Sequence, residues 1–145
     1  MAYTLVPALD DDKAWLERLW RAVYQELFVA TFGGWDEVRH TRQFSECWQR
    51  GHIAIIEVAG ERVGMIQRFE QPQNIEVGEM QVLPSYQNLG IGSSVLRDTI
   101  ARAQPQQKKV TLSVALKNER AYRLYQRLGF HEVGRSETHT FMAYD

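Results

Sequence analysis

Val82-Leu83-Pro84-Ser85-Tyr86-Gln87-Asn88-Leu89-Gly90-Ile91-Gly92-Ser93 reads as the end of a strand, a turn, a glycine loop and the start of a helix. Pro84 has no backbone N–H and cannot continue a sheet ladder, so the strand stops there. Gly90 and Gly92 carry no β-carbon that would hold an anion away from the backbone amides. The helix that follows directs its unpaired N–H groups, and the positive end of its dipole, into the same loop. The stretch therefore reads as a phosphate cradle, with a plain strand-to-helix turn as the alternative. Two familiar phosphate loops are excluded by residue type. A P-loop ends in Gly-Lys-Ser/Thr, where this chain has Gly92-Ser93-Ser94, and a dinucleotide fingerprint needs a third glycine where Val95 stands.

What remains is the pattern Gln/Arg-x-x-Gly-x-Gly/Ala, met as Gln87-Asn88-Leu89-Gly90-Ile91-Gly92. A second block, Asn118-Glu119-Arg120-Ala121-Tyr122-Arg123-Leu124-Tyr125-Gln126-Arg127-Leu128-Gly129-Phe130, follows at the expected distance. Together they resemble the GNAT superfamily of N-acetyltransferases. The first block is similar to the family's pyrophosphate loop and the second to its C-terminal signature, with Asn, Ala, Tyr and Leu-Gly-Phe in register. The resemblance covers residues 53–130, and the first fifty residues only by their pattern of elements.

The resemblance implies acetyl-CoA as cosubstrate and an amine as acceptor. In the family the pantetheine arm lies along the strand before the glycine loop, pairing with its backbone as an added strand would. Here that edge is Met80, Val82 and Leu83, and a backbone N–H there is the natural donor to the thioester oxygen. The pyrophosphate is assigned by the same likeness to Gln87, Asn88, Leu89, Gly90, Ile91, Gly92 and Ser93. Tyr125 matches the family's tyrosine near the sulfur, taken as general acid. Spacing alone would make it a core aromatic on a helix stripe. Asn118 is placed to cap the last helix and, by resemblance, to bond the cofactor.

Outward from the loop, residues 75–83 form a strand with Ile75, Val77 and Leu83 on one face and Gly78, Met80 and Val82 on the other. A strand apolar on both faces belongs in the middle of a covered sheet. Glu76 and Glu79 interrupt it, one on each face, and a buried carboxylate needs a reason. Both stand where family members place a carboxylate. Burial would raise either toward neutrality, where a general base for an ammonium substrate is useful. Glu79 is preferred because it is nearer the cofactor edge, and a carboxylate in a surface ion pair or bonded to a loop is the alternative. On the other side, Ile91, Val95, Thr99 and Ala103, flanked by Leu96 and Ile100, make the packing stripe of a helix ending before Pro105. Val110, Leu112, Val114 and Leu116 alternate as the inner face of a strand. Ala121, Leu124, Tyr125 and Leu128 form the last helix's stripe before Gly129. Val133 and residues 138–144 suggest a closing antiparallel pair, on which His139 is a candidate border of the acceptor pocket, a partly exposed strand histidine being the plainer reading.

In the front half, residues 3–9 read as a short strand, and Asp10, Asp11 and Asp12 as the cap of a helix. Its stripe is Leu16, Leu19, Trp20, Val23, Tyr24 and Leu27. Gly33-Gly34 breaks it, and a second helix runs to about Trp48 with Val38, Thr41, Phe44 and Trp48 along one side. By resemblance, the region between these helices walls the acceptor site, which makes Phe28, Phe32 and Trp35 candidate substrate contacts. An aromatic staple at a helix start is the plainer reading. Residues 53–58 and 62–69 are two strands joined by Ala59-Gly60-Glu61, a turn short enough to force a hairpin. The order of elements gives an α+β (mixed α/β) fold: one domain over 1–145, with a mostly antiparallel twisted sheet and about four helices.

With 145 residues and 44% hydrophobic content, the chain suits one domain with a real core. Seventeen basic and eighteen acidic residues give a net charge of -1 with no run of like charge, so nucleic acid is not an expected partner. The single cysteine, Cys47, cannot form an internal disulfide, and its helical spacing from Phe44 reads as a small buried hydrophobe. No apolar run approaches the roughly 18 residues of a membrane span, and no signal-peptide layout opens the chain, so a cytoplasmic protein is expected. The four histidines lack metal-site spacing. The expectation is an acetyl-CoA-dependent N-acetyltransferase, monomer or homodimer, using a small-molecule or peptide amine by direct attack in a ternary complex. The rivals are a non-catalytic acyl-CoA-binding or regulatory domain, and the same transferase with another acyl donor.

Overall fold

In the computed structural model, which describes residues 2–145 apart from the side chains of Glu26, Thr31 and Phe32, seven strands and four α-helices follow one another. The strands are β1 (Thr4–Pro7), β2 (Ile53–Val58), β3 (Glu61–Glu70), β4 (Asn74–Val82), β5 (Lys109–Ala115), β6 (His131–Arg135) and β7 (His139–Tyr144). The helices are α1 (Lys13–Phe32), α2 (Glu37–Arg50), α3 (Ile91–Ala103) and α4 (Glu119–Leu128). The sheet order is β1-β2-β3-β4-β5-β7-β6, so β4 has three strands on either side, as its two apolar faces require. β4 and β5 run parallel, whereas the β1–β2, β2–β3, β5–β7 and β6–β7 pairs are antiparallel. This is the expected α+β fold, an open and mostly antiparallel sheet. The chain gathers into two compact units, Met1–Gln67 with Glu79–Ile91, and Arg68–Gly78 with Gly92–Asp145.

In the first unit, Ala59 (φ 53°) and Gly60 (φ 80°) form a two-residue turn between β2 and β3. Positive φ at both positions matches the twist of a tight hairpin. Glu61, expected in the turn, is the first residue of β3. Asp10–Asp12 folds as a 3-10 turn, and the Asp12 carboxylate accepts from the Leu9 N–H at 2.9 Å and pairs with Arg62 at 2.8 Å. It turns back toward the strand and so does not cap α1, contrary to expectation. Gly33 ends α1 in the left-handed conformation, and Asp36 caps α2 by accepting from the Arg39 N–H at 3.1 Å.

The core of this unit joins Leu16, Leu19 and Trp20 of α1 to Phe44 and Cys47 of α2 and to Ile53, Ile55 and Met65 of the sheet. Each fully buried aliphatic side chain there contributes about 1.5–3 kcal/mol. The α2 stripe differs from the expected one. Val38 and Thr41 are exposed, and His40, Phe44 and Cys47 face inward. His40 tolerates burial because its Nε2 lies 2.9 Å from Glu17 Oε1 and its ring packs on Trp35.

In the second unit every expected α3 position after Ile91 is buried, from Val95 through Ala103, and so are Val110, Leu112 and Val114 of β5. Leu116, expected to continue that inner face, lies beyond the strand and is exposed. Of the α4 stripe only Tyr125 is fully buried; Ala121, Leu124 and Leu128 are half-buried. β6 and β7 close the sheet, and Val133 sits at a register shift between Glu132 and Gly134, its side chain turned outward.

Candidate active site

Glu79 and Gln81 of β4 and Leu83, just beyond its end, stand at alternate positions, hence on one face. Leu83 packs against the α1–α2 core, which fixes that face toward the helices. From α1, the Tyr24 hydroxyl donates to Glu79 Oε1, and Gln81 Nε2 donates to the same oxygen at 3.3 Å. Burial pushes the Glu79 carboxyl up from the ordinary carboxylate range, and these two hydrogen bonds pull it partly back. The Gln81 side chain is itself buried, and its Oε1 has no hydrogen-bond partner. Sequence reasoning missed both partners of Glu79. Gln81 carries the same signal as Glu79, a polar residue at an inward position of an apolar strand. Tyr24 hides in a helix stripe where an aromatic residue looks like packing.

Cys47 lies nearby. Its thiol donates to Gln67 Oε1 at 3.2 Å, and Gln67 Nε2 donates to the carbonyls of Cys47 and Gly51, each at 2.8 Å. Burial, and then the Glu79 charge, push the thiol up to about 12. It is a neutral core residue, not a nucleophile.

At the end of β4 the Leu83 N–H donates to the Val63 carbonyl at 2.7 Å. Backbone groups alternate along a strand, so the Val82 groups face away from β3. The Val82 carbonyl accepts from Gln87 Nε2 at 2.9 Å, so this candidate cofactor side chain braces the strand end. Pro84–Tyr86 form a 3-10 turn, tied by the Tyr86 hydroxyl to Glu61 Oε2 at 2.6 Å. Asn88 (φ 65°) and Gly90 (φ 84°) take left-handed conformations, and Asn88, Leu89 and Gly90 are exposed just before α3 begins at Ile91. A β-carbon at Gly90 would meet no protein atom within 4 Å. The loop thus offers open space and a helix N-terminus, which fits a phosphate.

The remaining candidates fall as follows. Glu76 is half-buried on the opposite face of β4 from Glu79, and its Oε1 accepts from Gln71 Nε2 at 3.4 Å. Asn118 caps α4, its side chain accepting from the Ala121 N–H at 3.2 Å. Tyr125 is 9% exposed, with its ring edge-on to Phe130 at 5.9 Å. His139 is half-buried on β7, its Nδ1 2.8 Å from Thr138 Oγ1, and burial pushes its imidazole below the usual range. Phe28 is buried, 5.0 Å from the Trp35 ring, while the indole N–H of Trp35 donates to Glu37 at 2.7 Å. The side chain of Phe32 lies outside the described residues. Among the described residues no cluster of His, Cys, Asp or Glu could hold a metal ion, and no helix is long and apolar enough to cross a membrane.

Comparison with known proteins bears on this arrangement. The profile of the Acetyltransferase (GNAT) family matches residues 20–130. The chain is 25% identical over 125 residues to an uncharacterized N-acetyltransferase of Methanocaldococcus jannaschii, a match covering 75% of this chain and 55% of that protein. It thus spans about half the length of that relative. Among solved structures it is similar to the PaiA N-acetyltransferase of Thermoplasma acidophilum in complex with coenzyme A (14% identity, 100% of this chain and 99% of that one, TM-score 0.77). It is also similar to Arabidopsis thaliana Naa50 in complex with the bisubstrate analogue CoA-Ac-MVNAL (16% identity, 100% and 99%, TM-score 0.68). At such identities the structural likeness speaks for the fold, and the profile, which spans most of the chain and both quoted blocks, speaks for the family. The chain belongs to the GNAT family of acetyltransferases.

Proposed function

We propose that residues 1–145 act as one domain that moves an acetyl group from acetyl-CoA to a primary amine, by direct attack of the amine on the thioester. The observation that carries this reading is Glu79, a carboxylate held on the central strand under conditions that raise its basicity. Glu79 takes a proton from the bound ammonium, freeing the nitrogen lone pair. The N–C bond then forms as the C–S bond breaks, Tyr125 gives its proton to the departing thiolate, and the second proton shed by the nitrogen restores the tyrosine through solvent. The Val82 N–H is the proposed donor to the thioester oxygen, since the Val82 carbonyl on the same side is already engaged by Gln87. The exposed loop 88–90 and the start of α3 are proposed to hold the pyrophosphate, with Asn118 as a further cofactor contact. The CoA and bisubstrate complexes of the two solved relatives support acetyl-CoA as donor. Acetyl-CoA supplies the activated acyl group.

The test is free-thiol release from acetyl-CoA across a panel of small amines, polyamines, amino acids and peptides. Tyr125→Phe keeps the ring and removes the proton donor, so turnover should fall about 10- to 1000-fold with little change in cofactor affinity. Glu79→Gln should remove the rising limb of kcat/KM with pH, and Glu76→Gln should leave it. No thiol release with any amine would leave a binding module in place of the enzyme.

A further inference from the structure

Glu79 receives two donors on one oxygen. The Tyr24 hydroxyl comes from α1 and Gln81 Nε2 from the next inward position of β4, and both end on Oε1. A carboxylate oxygen has two lone-pair directions, so Oε1 is saturated. Among the described residues no hydrogen bond to Oε2 is formed. We infer that Tyr24 and Gln81 are positioning residues that grip Glu79 by Oε1 and leave Oε2 as the oxygen that takes the proton from the acceptor amine. This rests on the reading of Glu79 as the base.

Two further features support the assignment. Tyr24 is itself held, its ring edge-on to Trp20 at 5.4 Å, with Trp20 edge-on to Phe44 at 5.6 Å. The hydroxyl is therefore delivered by a packed helix. Gln81 is 2% exposed, yet its carbonyl oxygen is buried without a donor. The reversed amide would set that oxygen against Glu79 Oε1. Its N–H is spent on the carboxylate at the expense of its own acceptor, which a merely space-filling side chain would not require.

Among the described residues the titratable groups facing Glu79 are Tyr24 from α1 and Cys47 from α2, and Cys47, pushed up to about 12, stays neutral through the working range. Removing a donor withdraws support from the charged form, so Glu79 becomes a weaker acid. Loosened packing does the opposite, because admitted water brings a buried carboxyl back toward its ordinary value. The sign of the change separates the two roles.

The experiment is a 13C NMR titration of protein labelled at the glutamate side-chain carboxyl carbon, with the Glu79 resonance assigned by its loss in Glu79→Gln. In Tyr24→Phe the acid dissociation constant of Glu79 should fall about 10-fold, and in Gln81→Met several-fold, with the thermal shift produced by acetyl-CoA unchanged. The rising limb of kcat/KM should move to higher pH in both variants. A dissociation constant that stays put or rises in both folded variants would overturn the inference, even where Glu79→Gln abolishes the limb. Conversely, a constant that falls as expected beside a limb that survives Glu79→Gln would sustain the two donors and reject Glu79 as the base.

Discussion

Burial holds the Glu79 carboxyl above the ordinary range against the pull of Tyr24 and Gln81, so the folded chain binds that proton more tightly than the unfolded chain does. Between the unfolded value of about 4.3 and the higher folded one, its contribution to stability therefore falls as pH rises. Above that folded value the native state carries the cost of a buried charge. Glu79→Gln removes the titrating carboxyl while its side-chain carbonyl can still accept from Tyr24, so the variant should gain stability over wild type as pH rises, by up to about 1.4 kcal/mol per pH unit between the unfolded and folded values. The gap should close as pH falls toward 4. Urea unfolding across that range measures it, and a variant that gains nothing over wild type as pH rises would mean that the charge is not costly where it sits. Half of this site was legible without coordinates. A carboxylate interrupting an apolar strand is a visible anomaly, and so is Gln81 two residues on. Tyr24 was not legible, because a 3.6-residue periodicity reports that a side chain faces inward and says nothing of a hydroxyl meeting a residue 55 positions away.

Among the elements, β4 fixes the site, and its seat beside β3 depends on Gly64. A β-carbon there would lie 2.1 Å from the Gln81 carbonyl oxygen and 3.1 Å from Val82 Cα, both backbone atoms that cannot swing aside. Gly64→Ala must therefore push the two strands apart where β4 carries Gln81, and a destabilisation of about 1–3 kcal/mol is expected. Chemical denaturation reads it directly, and a change below about 0.5 kcal/mol would show that the strands accommodate the methyl freely. No sequence pattern marks Gly64, since a glycine in a strand looks the same whether it is tolerated or required. The helices were legible to different degrees. α3 follows its periodicity at every position because it packs by one apolar stripe. α2 does not, because the phase that buries Phe44 and Cys47 also buries His40, which is made tolerable by Glu17 on another helix. A rule that keeps polar residues outside chooses Val38, which is exposed.

For the whole molecule, a net charge of -1 gives no general attraction for a polyanion such as acetyl-CoA. On the proposed reading, recognition of its phosphates is local and falls to the exposed loop 88–90 and the start of α3. Because such binding is specific to the folded state, acetyl-CoA at about 100 times its dissociation constant should stabilise the protein by roughly 2.7 kcal/mol. For a chain of this size that corresponds to a rise of about 5–10 °C in Tm. NAD and ATP at equal concentration share the phosphates without the pantetheine arm and should do much less. Gly90→Asp isolates the loop's share. Gly90 has positive φ and open space around its missing β-carbon, so the aspartate fits the free protein at a cost of about 1 kcal/mol, asparagine and aspartate being the side chains that best tolerate this conformation. Its carboxylate would project into the space proposed for the pyrophosphate, and the acetyl-CoA shift should vanish. A Gly90→Asp protein that melts near the wild-type temperature and still gains the full shift would move the phosphate site off this loop. A wild-type melt raised by ATP but unmoved by acetyl-CoA would refute the cosubstrate assignment itself.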